Sequence, residues 1–182
     1  MIIVMGIPGA GKTTVLSETL RQAKGWRAIN WGDRMLELAA AKGFAKGRDE
    51  IRKLPVERQA ELQAAVADSL AREEGKFVLD THCSINTPKG YLPGLPYGVL
   101  GKLPVERFVL IEAPAESIIA RRRKDATRAR DAQAAEAVAE QLFVNKALVC
   151  AYAAFKGAPV AFVKNEDGKL SAAVEALRAL LG

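Results

Sequence analysis

Residues 6–13 read GIPGAGKT and match the pattern GxxxxGK[ST] at every fixed position. Glycines let the backbone curl so that successive N–H groups can point at phosphate oxygens, and the following helix adds its positive N-terminus. Lys12 is expected to reach the β- and γ-phosphates, the Thr13 hydroxyl to help hold Mg²⁺, and Thr14 is a further candidate for the α-phosphate. The motif predicts a loop, called the P-loop below, that binds a nucleoside triphosphate. Its candidate binding residues are Gly6, Gly9, Ala10, Gly11, Lys12, Thr13 and Thr14.

One carboxylate is well placed to serve this loop. Asp80 follows the apolar run 77–79, where a carboxylate can hold Mg²⁺ directly or through water. A turn or an N-cap is the structural alternative for such an aspartate. The metal role is favoured because the P-loop needs an acidic partner at the end of a nearby strand.

The elements that must position these residues alternate along the chain. Apolar runs without polar alternation are typical of parallel strands covered by helices. They occur at 2–5, 77–79 and 108–111, and segments 26–30 and 159–163 are two weaker strand candidates. Helical patterns cover 12–24, 34–41, 56–74, 115–124, 132–156 and 171–181. This alternation predicts an α/β fold, a doubly wound parallel five-stranded sheet of the P-loop NTPase type with helices on both faces.

Several smaller features have structural interpretations. Segment 87–96, TPKGYLPGLP, is rich in Pro and Gly and is predicted to be an ordered loop. Asp33 is a candidate N-cap of the helix over 34–41. Trp26 and Trp31 indicate packing, although Trp31 could also line a ligand pocket. His82, the only histidine, is assigned no acid–base role.

The charge of the chain is concentrated in two segments. The 182 residues carry 27 Lys and Arg against 21 Asp and Glu, a net charge of +6. Segment 121–131 has a net charge of +4 and segment 46–58 a net charge of +2, so the rest is neutral. Such patches can bind phosphorylated ligands, nucleic acid or a membrane surface.

Each basic segment has a functional and a structural interpretation. Arg128 and Arg130 lie beyond a predicted helix and can close over phosphates with guanidinium forks, whereas Arg122 and Arg123 fit a solvated helix end. Arg48 and Arg52 stand four apart, so on a helix they would share one face. They could bind a second phosphorylated ligand or form surface ion pairs with Asp49 and its neighbours, and the local sequence does not decide between these.

Composition excludes several protein classes. With 49% hydrophobic and 26% charged residues, the chain resembles an ordered globular domain. The apolar stretches are shorter than a membrane span needs, and a secretory signal is not expected. Cys83 and Cys150 lie far apart without a CxxC pattern, which argues against a zinc site or a disulfide framework and favours the cytoplasm.

Taken together, these motifs resemble the archaeal adenylate kinases over nearly the whole chain. The resemblance rests on segments GIPGAGKTT (6–14), WGDRM (31–35), RDEIRKL (48–54), DTHCSINTPKGYLPGLP (80–96) and RRRKDATRARD (121–131), and on the region of Asn145. It implies the reaction ATP + AMP ⇌ 2 ADP with Mg²⁺ and a homotrimer. It also implies a core of 1–30, 63–122 and 132–182, an AMP-binding insert over about 31–62 and a short lid over about 123–131.

The resemblance assigns roles to individual residues. Arg121 would sit near the adenine of ATP, and Arg128 and Arg130 would act with Lys12 on the transferring phosphoryl group. The residues implied for the AMP side are Asp33, Arg34, Arg48 and Arg52. Some relatives carry Glu where Ala126 stands and Asn where Ala129 stands, so no contact is expected from these positions. The zinc-binding cysteines of some bacterial lids are absent.

Two other functions compete with this one. The first is a P-loop kinase for another monophosphate or for a hydroxyl-bearing metabolite. A hydroxyl acceptor would need a nearby carboxylate base, for which Asp33 is the candidate. An RNA-associated P-loop ATPase would use 121–131 as its contact, but no aromatic residue is interleaved there for base stacking. Nucleic acid and membranes are therefore not expected partners.

Overall fold

The chain forms a five-stranded parallel sheet and a separate hairpin, described from a computed structural model over residues 1–124 and 135–182. The strands are β1 (Ile2–Met5), β2 (Trp26–Asn30), β3 (Lys76–Asp80), β4 (Ser84–Thr87), β5 (Gly90–Pro93), β6 (Arg107–Glu112) and β7 (Val160–Lys164). The sheet has the order β2-β3-β1-β6-β7, and β4 pairs only with β5. All five predicted strands are confirmed within one residue at each end.

Helices cover both faces of this sheet, as predicted. They are α1 (Lys12–Gln22), α2 (Trp31–Ala41), α3 (Arg48–Lys53), α4 (Val56–Ala71), α5 (Tyr97–Leu100), α6 (Ala115–Lys124), α7 (Ala135–Lys156) and α8 (Leu170–Leu181). The two short helices, α3 and α5, are not among the helical patterns read from the sequence. The predicted start of α7 at Ala132 lies outside the described residues.

Side-chain alternation in β1 explains why both faces are covered. Ile2 and Val4 pack on one face with residues of α1 and α8, whereas Ile3 and Met5 pack on the other with residues of α4 and α7. Because successive strand residues point to opposite faces, an all-apolar strand needs a helical layer on each side. A smaller cluster joins α2, α3 and α4 through Ala39, Ala45, Ile51 and Leu62.

Two local expectations are wrong. Segment 87–96 is not a loop throughout, because Thr87 pairs with Gly90 in the antiparallel β4–β5 hairpin. The Thr87 hydroxyl accepts from Lys89 N and donates to Gly90 O at 2.7 Å, which closes the turn. Its prolines are tolerated because this hairpin stands apart from the central sheet. The N-cap of α2 is Asn30 rather than Asp33, and its side-chain oxygen accepts from Asp33 N at 3.1 Å.

Helix α7 is the one described helix that is long and apolar enough to cross a membrane by length and composition. The sequence expectation that no stretch approaches this length is therefore too strict. The helix contacts β6, β7, β4 and α6, and its buried residues include the polar Gln141 and Asn145. These contacts are those of a helix that covers a sheet.

Candidate functional site: a polar cleft at the carboxyl ends of the strands

The P-loop borders a cleft of about 490 Å³ at the carboxyl edge of the sheet. Parallel α/β sheets bind ligands at this edge because the loops leaving the strands converge there. The lining residues include two of the three arginines of α6 and one arginine of α3. They are Gly6, Ile7, Pro8, Gly9, Gly11, Lys12, Thr13, Thr14, Asn30, Arg48, Asp80, His82, Arg121 and Arg122.

Lys12 and Asp80 face each other across the start of this cleft. The Lys12 ammonium forms an ion pair with Asp80 Oδ1 and donates to Thr81 O at 3.2 Å. Desolvation by burial lowers the pKa of Lys12 to about 8. At pH 7 this amine is still mainly cationic, so the P-loop offers one buried positive charge to a polyanion.

Strand register places Asn30 beside Asp80. These residues are partners at the ends of β2 and β3, and Asn30 Nδ2 donates to Asp80 Oδ2 at 3.0 Å. The other end of the amide, Asn30 Oδ1, lies 3.5 Å from Arg48 Nη2. Asn30 thus links the P-loop carboxylate with the first basic residue of α3. Sequence reasoning missed it, although its place at the end of a predicted strand is a usable signal.

The monophosphate candidates divide into two groups. Arg48 lines the cleft and forms an ion pair with Asp33. Arg52 forms an ion pair with Asp49 at 3.0 Å, and Arg34 with Glu73 at 3.1 Å, and neither borders the cleft. The structure therefore brings Arg48 together with the P-loop and leaves Arg34 and Arg52 outside in this conformation.

Arg121 and Arg122, near the end of α6, contact the P-loop backbone. Arg122 donates through Nε to Pro8 O at 2.8 Å and is only 9% exposed, so the expectation of a solvated helix end is wrong for it. Apolar packing of Ile118 and Val138 places α6 against the loop and buries this guanidinium. Arg121 donates to Gly9 O and Ala10 O at 3.4 and 3.3 Å. Arg128 and Arg130 lie outside the described residues.

Asn165 is a third residue that the sequence analysis missed. It follows β7 and donates through Nδ2 to Ala10 O at 2.8 Å. Its predicted strand at 159–163 ends at the same edge as the P-loop, which is the signal that could have identified it. Trp31, by contrast, packs into the core and does not border the cleft.

The oxygen donors of the cleft suit magnesium. Thr13 supplies a hydroxyl and Asp80 a carboxylate, and Mg²⁺ in nucleotide sites commonly takes one or two protein oxygens with substrate phosphates and waters. Among the described residues, no group of three or more His, Cys, Asp or Glu side chains could hold a metal ion by itself. The residues present therefore fit a metal that arrives with a nucleotide.

Comparisons with known proteins agree with this geometry. The family described as "AAA domain" matches residues 5–139. The adenylate kinase of Methanothermobacter thermautotrophicus is 43% identical over 183 residues, covering 100% of this chain and 98% of that protein. That of Methanopyrus kandleri is 44% identical over 178 residues, covering 96% of this chain and 93% of that protein.

A solved structure supports the fold. The shikimate kinase from Bacteroides thetaiotaomicron has a TM-score of 0.60 and 19% identity, covering 99% of this chain and 97% of that one. The fold and the cleft define a P-loop protein of the α/β class. The identities of 43% and 44% extend over nearly the full length of the chain, so it belongs to the adenylate kinase family.

Proposed function

We propose that the chain transfers the γ-phosphoryl group of MgATP reversibly to AMP and gives two ADP, the activity that the family name denotes. The observation that carries this proposal is the single cleft that has the P-loop on one wall and Arg48 on another. This arrangement suits two phosphorylated ligands that meet end to end.

The proposed chemistry depends on alignment and charge neutralisation. The phosphate of AMP is ionised at neutral pH, so transfer needs no strong general base. Lys12 would leave Asp80 for the phosphates of ATP, and Asp80 and Thr13 would hold Mg²⁺ directly or through water. When bound, Mg²⁺ supplies positive charge to the β- and γ-phosphates. Arg48 receives the AMP phosphate, and Arg128 and Arg130 neutralise charge at the transferring group.

The roles of the remaining candidates are also proposals. Gly6, Gly9, Ala10, Gly11 and Thr14 contribute to the phosphate cradle. Arg121 contacts the adenine of ATP, and Asp33, Arg34 and Arg52 belong to the AMP side. The separate apolar cluster under α2 and α3 supports an insert over about 31–62, and the lid spans about 123–131.

A homotrimer in the cytoplasm, without a membrane partner, is proposed from the family resemblance. Exposed aromatic side chains support an interface between copies, since such surfaces commonly mark protein contacts. Tyr97 is 75% exposed and stacks on Phe155 with ring centroids 4.3 Å apart, and Phe143 is 72% exposed. Sedimentation equilibrium is the direct measurement. A mass of 19.6 kDa, that of one chain, would contradict the trimer.

A coupled assay with AMP, CMP, UMP and GMP as acceptors tests the activity. We expect AMP to give the highest kcat/KM, with ADP formed from both substrates in equal amounts. A higher kcat/KM with another monophosphate would overturn the assignment to AMP. Activity with a hydroxyl-bearing acceptor that is lost in Asp33→Asn, with ATP binding intact, would favour the competing kinase reading.

A further inference from the structure

Two side chains from distant parts of the chain donate hydrogen bonds to backbone carbonyl groups of the P-loop. Arg122 Nε donates to Pro8 O at 2.8 Å, and Asn165 Nδ2 donates to Ala10 O at 2.8 Å. Both distances are those of well-formed hydrogen bonds. The two carbonyl groups are therefore fixed to α6 and to the loop after β7.

The peptide planes convert these contacts into an orientation of N–H groups. In a trans peptide, the carbonyl of one residue and the N–H of the next point in opposite directions, and the described chain has no cis peptide bond. Fixing Pro8 O and Ala10 O therefore also fixes the directions of the N–H groups of Gly9 and Gly11. Both glycines line that cleft.

The intervening peptide follows a different pattern. Ala10 N donates to Ile7 O at 3.1 Å inside the loop, so this N–H is already used. The carbonyl of the same peptide, Gly9 O, has only a weaker contact with Arg121 at 3.4 Å. The shortest hydrogen bonds from outside the loop therefore fall on the two peptides that carry the N–H groups of Gly9 and Gly11, which line the cleft.

Both holding side chains are themselves fixed. Asn165 is 5% exposed and its backbone N–H donates to Glu112 O at 2.7 Å. Arg122 donates through Nη2 to Gln141 Oε1 at 3.1 Å on α7. Buried polar groups with several partners have little freedom to rotate, so they can define the position of a flexible glycine-rich segment.

The steric environment of Gly11 provides independent support. A Cβ at this position would lie 2.2 Å from Asn165 Nδ2, and its φ of 82° is unfavourable for other residues. Asn165 therefore occupies the space that any side chain at residue 11 would need. The glycine of the motif is required here partly because Asn165 packs directly against the loop.

We propose that Arg122 and Asn165 are positioning residues that hold the P-loop in its phosphate-binding shape before a ligand arrives. The inference deepens the proposed function and rests on it only in that the loop binds polyphosphate. Their substitution should weaken polyphosphate binding and leave AMP binding unchanged, because Arg48 is held by other elements.

Isothermal titration calorimetry of ATP, tripolyphosphate and AMP binding to the variants Asn165→Ala and Arg122→Lys tests this inference. Asn86→Ala and Arg178→Lys are matched controls on exposed positions outside the cleft. We expect the Kd of ATP and the Kd of tripolyphosphate each to rise about tenfold in both variants, as for loss of one buried hydrogen bond. The Kd of AMP should stay within about twofold, a split that general destabilisation would not produce.

Each other outcome overturns the inference. If only ATP binding weakens and tripolyphosphate binding does not, these residues recognise the nucleoside rather than position the loop. If AMP binding weakens equally, or ATP binding is unchanged in a folded variant, the positioning role is wrong. Arg122→Lys keeps the charge and carries the test if Asn165→Ala does not fold. Absence of AMP phosphorylation by the unsubstituted chain, with normal binding of ATP and tripolyphosphate, would instead count against the proposed function alone.

Discussion

The P-loop and α3 offer positive charge to the same cleft but are held in different ways. Contacts to the P-loop are buried and join residues far apart in sequence, such as Asn165 and Ala10. On α3, Arg52 pairs with Asp49 three residues away, and the two side chains are 78% and 85% exposed. Exposed ion pairs contribute only about 0–1 kcal/mol, whereas buried polar networks restrict the geometry of their members.

This difference teaches that the fold completes one half of the site and leaves the other half adjustable. Buried contacts hold the P-loop backbone, so we expect ATP binding to rearrange little on this side beyond the release of Lys12 from Asp80. On the proposed AMP side, the ion pairs of α3 with Asp33 and Asp49 would be exchanged for contacts with a phosphate. A loose second site of this kind suits an enzyme that must admit one nucleotide and then enclose two.

The largest expected effect is the loss of the buried charge on the P-loop side. Lys12→Ala should lower kcat by about 10³-fold or more, because removing one preorganised donor from a phosphoryl-transfer site has effects of that order. The measurement is the initial rate with saturating ATP and AMP. Circular dichroism would establish that the variant is folded.

Lys24→Ala is the matched control, since Lys24 is exposed and outside the cleft. A kcat for Lys12→Ala within tenfold of that of the unsubstituted chain would contradict the proposed role of the lysine.

Arg128→Ala should also lower kcat by a large factor. An unchanged kcat would remove Arg128 from the residues that act on the transferring group.

The substitutions Arg48→Ala and Arg52→Ala compare two arginines on one helix. Arg48 borders the cleft, whereas Arg52 does not. Loss of a charge-assisted hydrogen bond costs roughly 1.5–3 kcal/mol, so Arg48→Ala should raise the KM for AMP by about 10- to 100-fold. Arg52→Ala should raise it only a few-fold. Steady-state kinetics with varied AMP at saturating ATP would measure both.

The two outcomes at α3 would say how this helix behaves with ligand bound. Equal increases in KM would mean that α3 turns both arginines toward AMP, and the conformation described here would not be the one that binds. An unchanged KM for ATP in both variants is the internal control. A weakened ATP site would contradict the division of the cleft into two halves.

The sequence predicted the parts of the molecule that depend on local pattern. The glycine-rich motif identified Lys12. Runs rich in apolar residues located the five strands, because a strand covered on both faces needs apolar side chains on both. It also predicted that Asp80 ends a strand next to the P-loop. These features are encoded within short segments and need no knowledge of how distant segments meet.

The missed residues depend on long-range contacts. Asn165 and Ala10 are 155 positions apart, and nothing local to either residue indicates their hydrogen bond. Arg122 and the exposed Arg123 are adjacent in one basic run, and the run does not indicate that Arg122 donates to Pro8 O. The hairpin was missed because Pro and Gly usually exclude strands, although an isolated two-stranded pair tolerates them.

The pH dependence of the two halves gives the smallest and most direct comparison. Burial lowers the pKa of Lys12 to about 8, so the cation that binds phosphate is lost as the pH rises through that value. Since kcat/KM for ATP reports the enzyme before ATP binds, it should fall about tenfold between pH 7 and 9. At saturating ATP the phosphates hold the proton on Lys12, and the proposed AMP side relies on guanidinium groups, which do not lose their protons in proteins. The kcat/KM for AMP should therefore stay nearly constant over the same range.

An equal decrease in kcat/KM for ATP and for AMP would mean that the titrating group serves both halves of the cleft. The contrast between a buried and an exposed source of charge would then not explain the site.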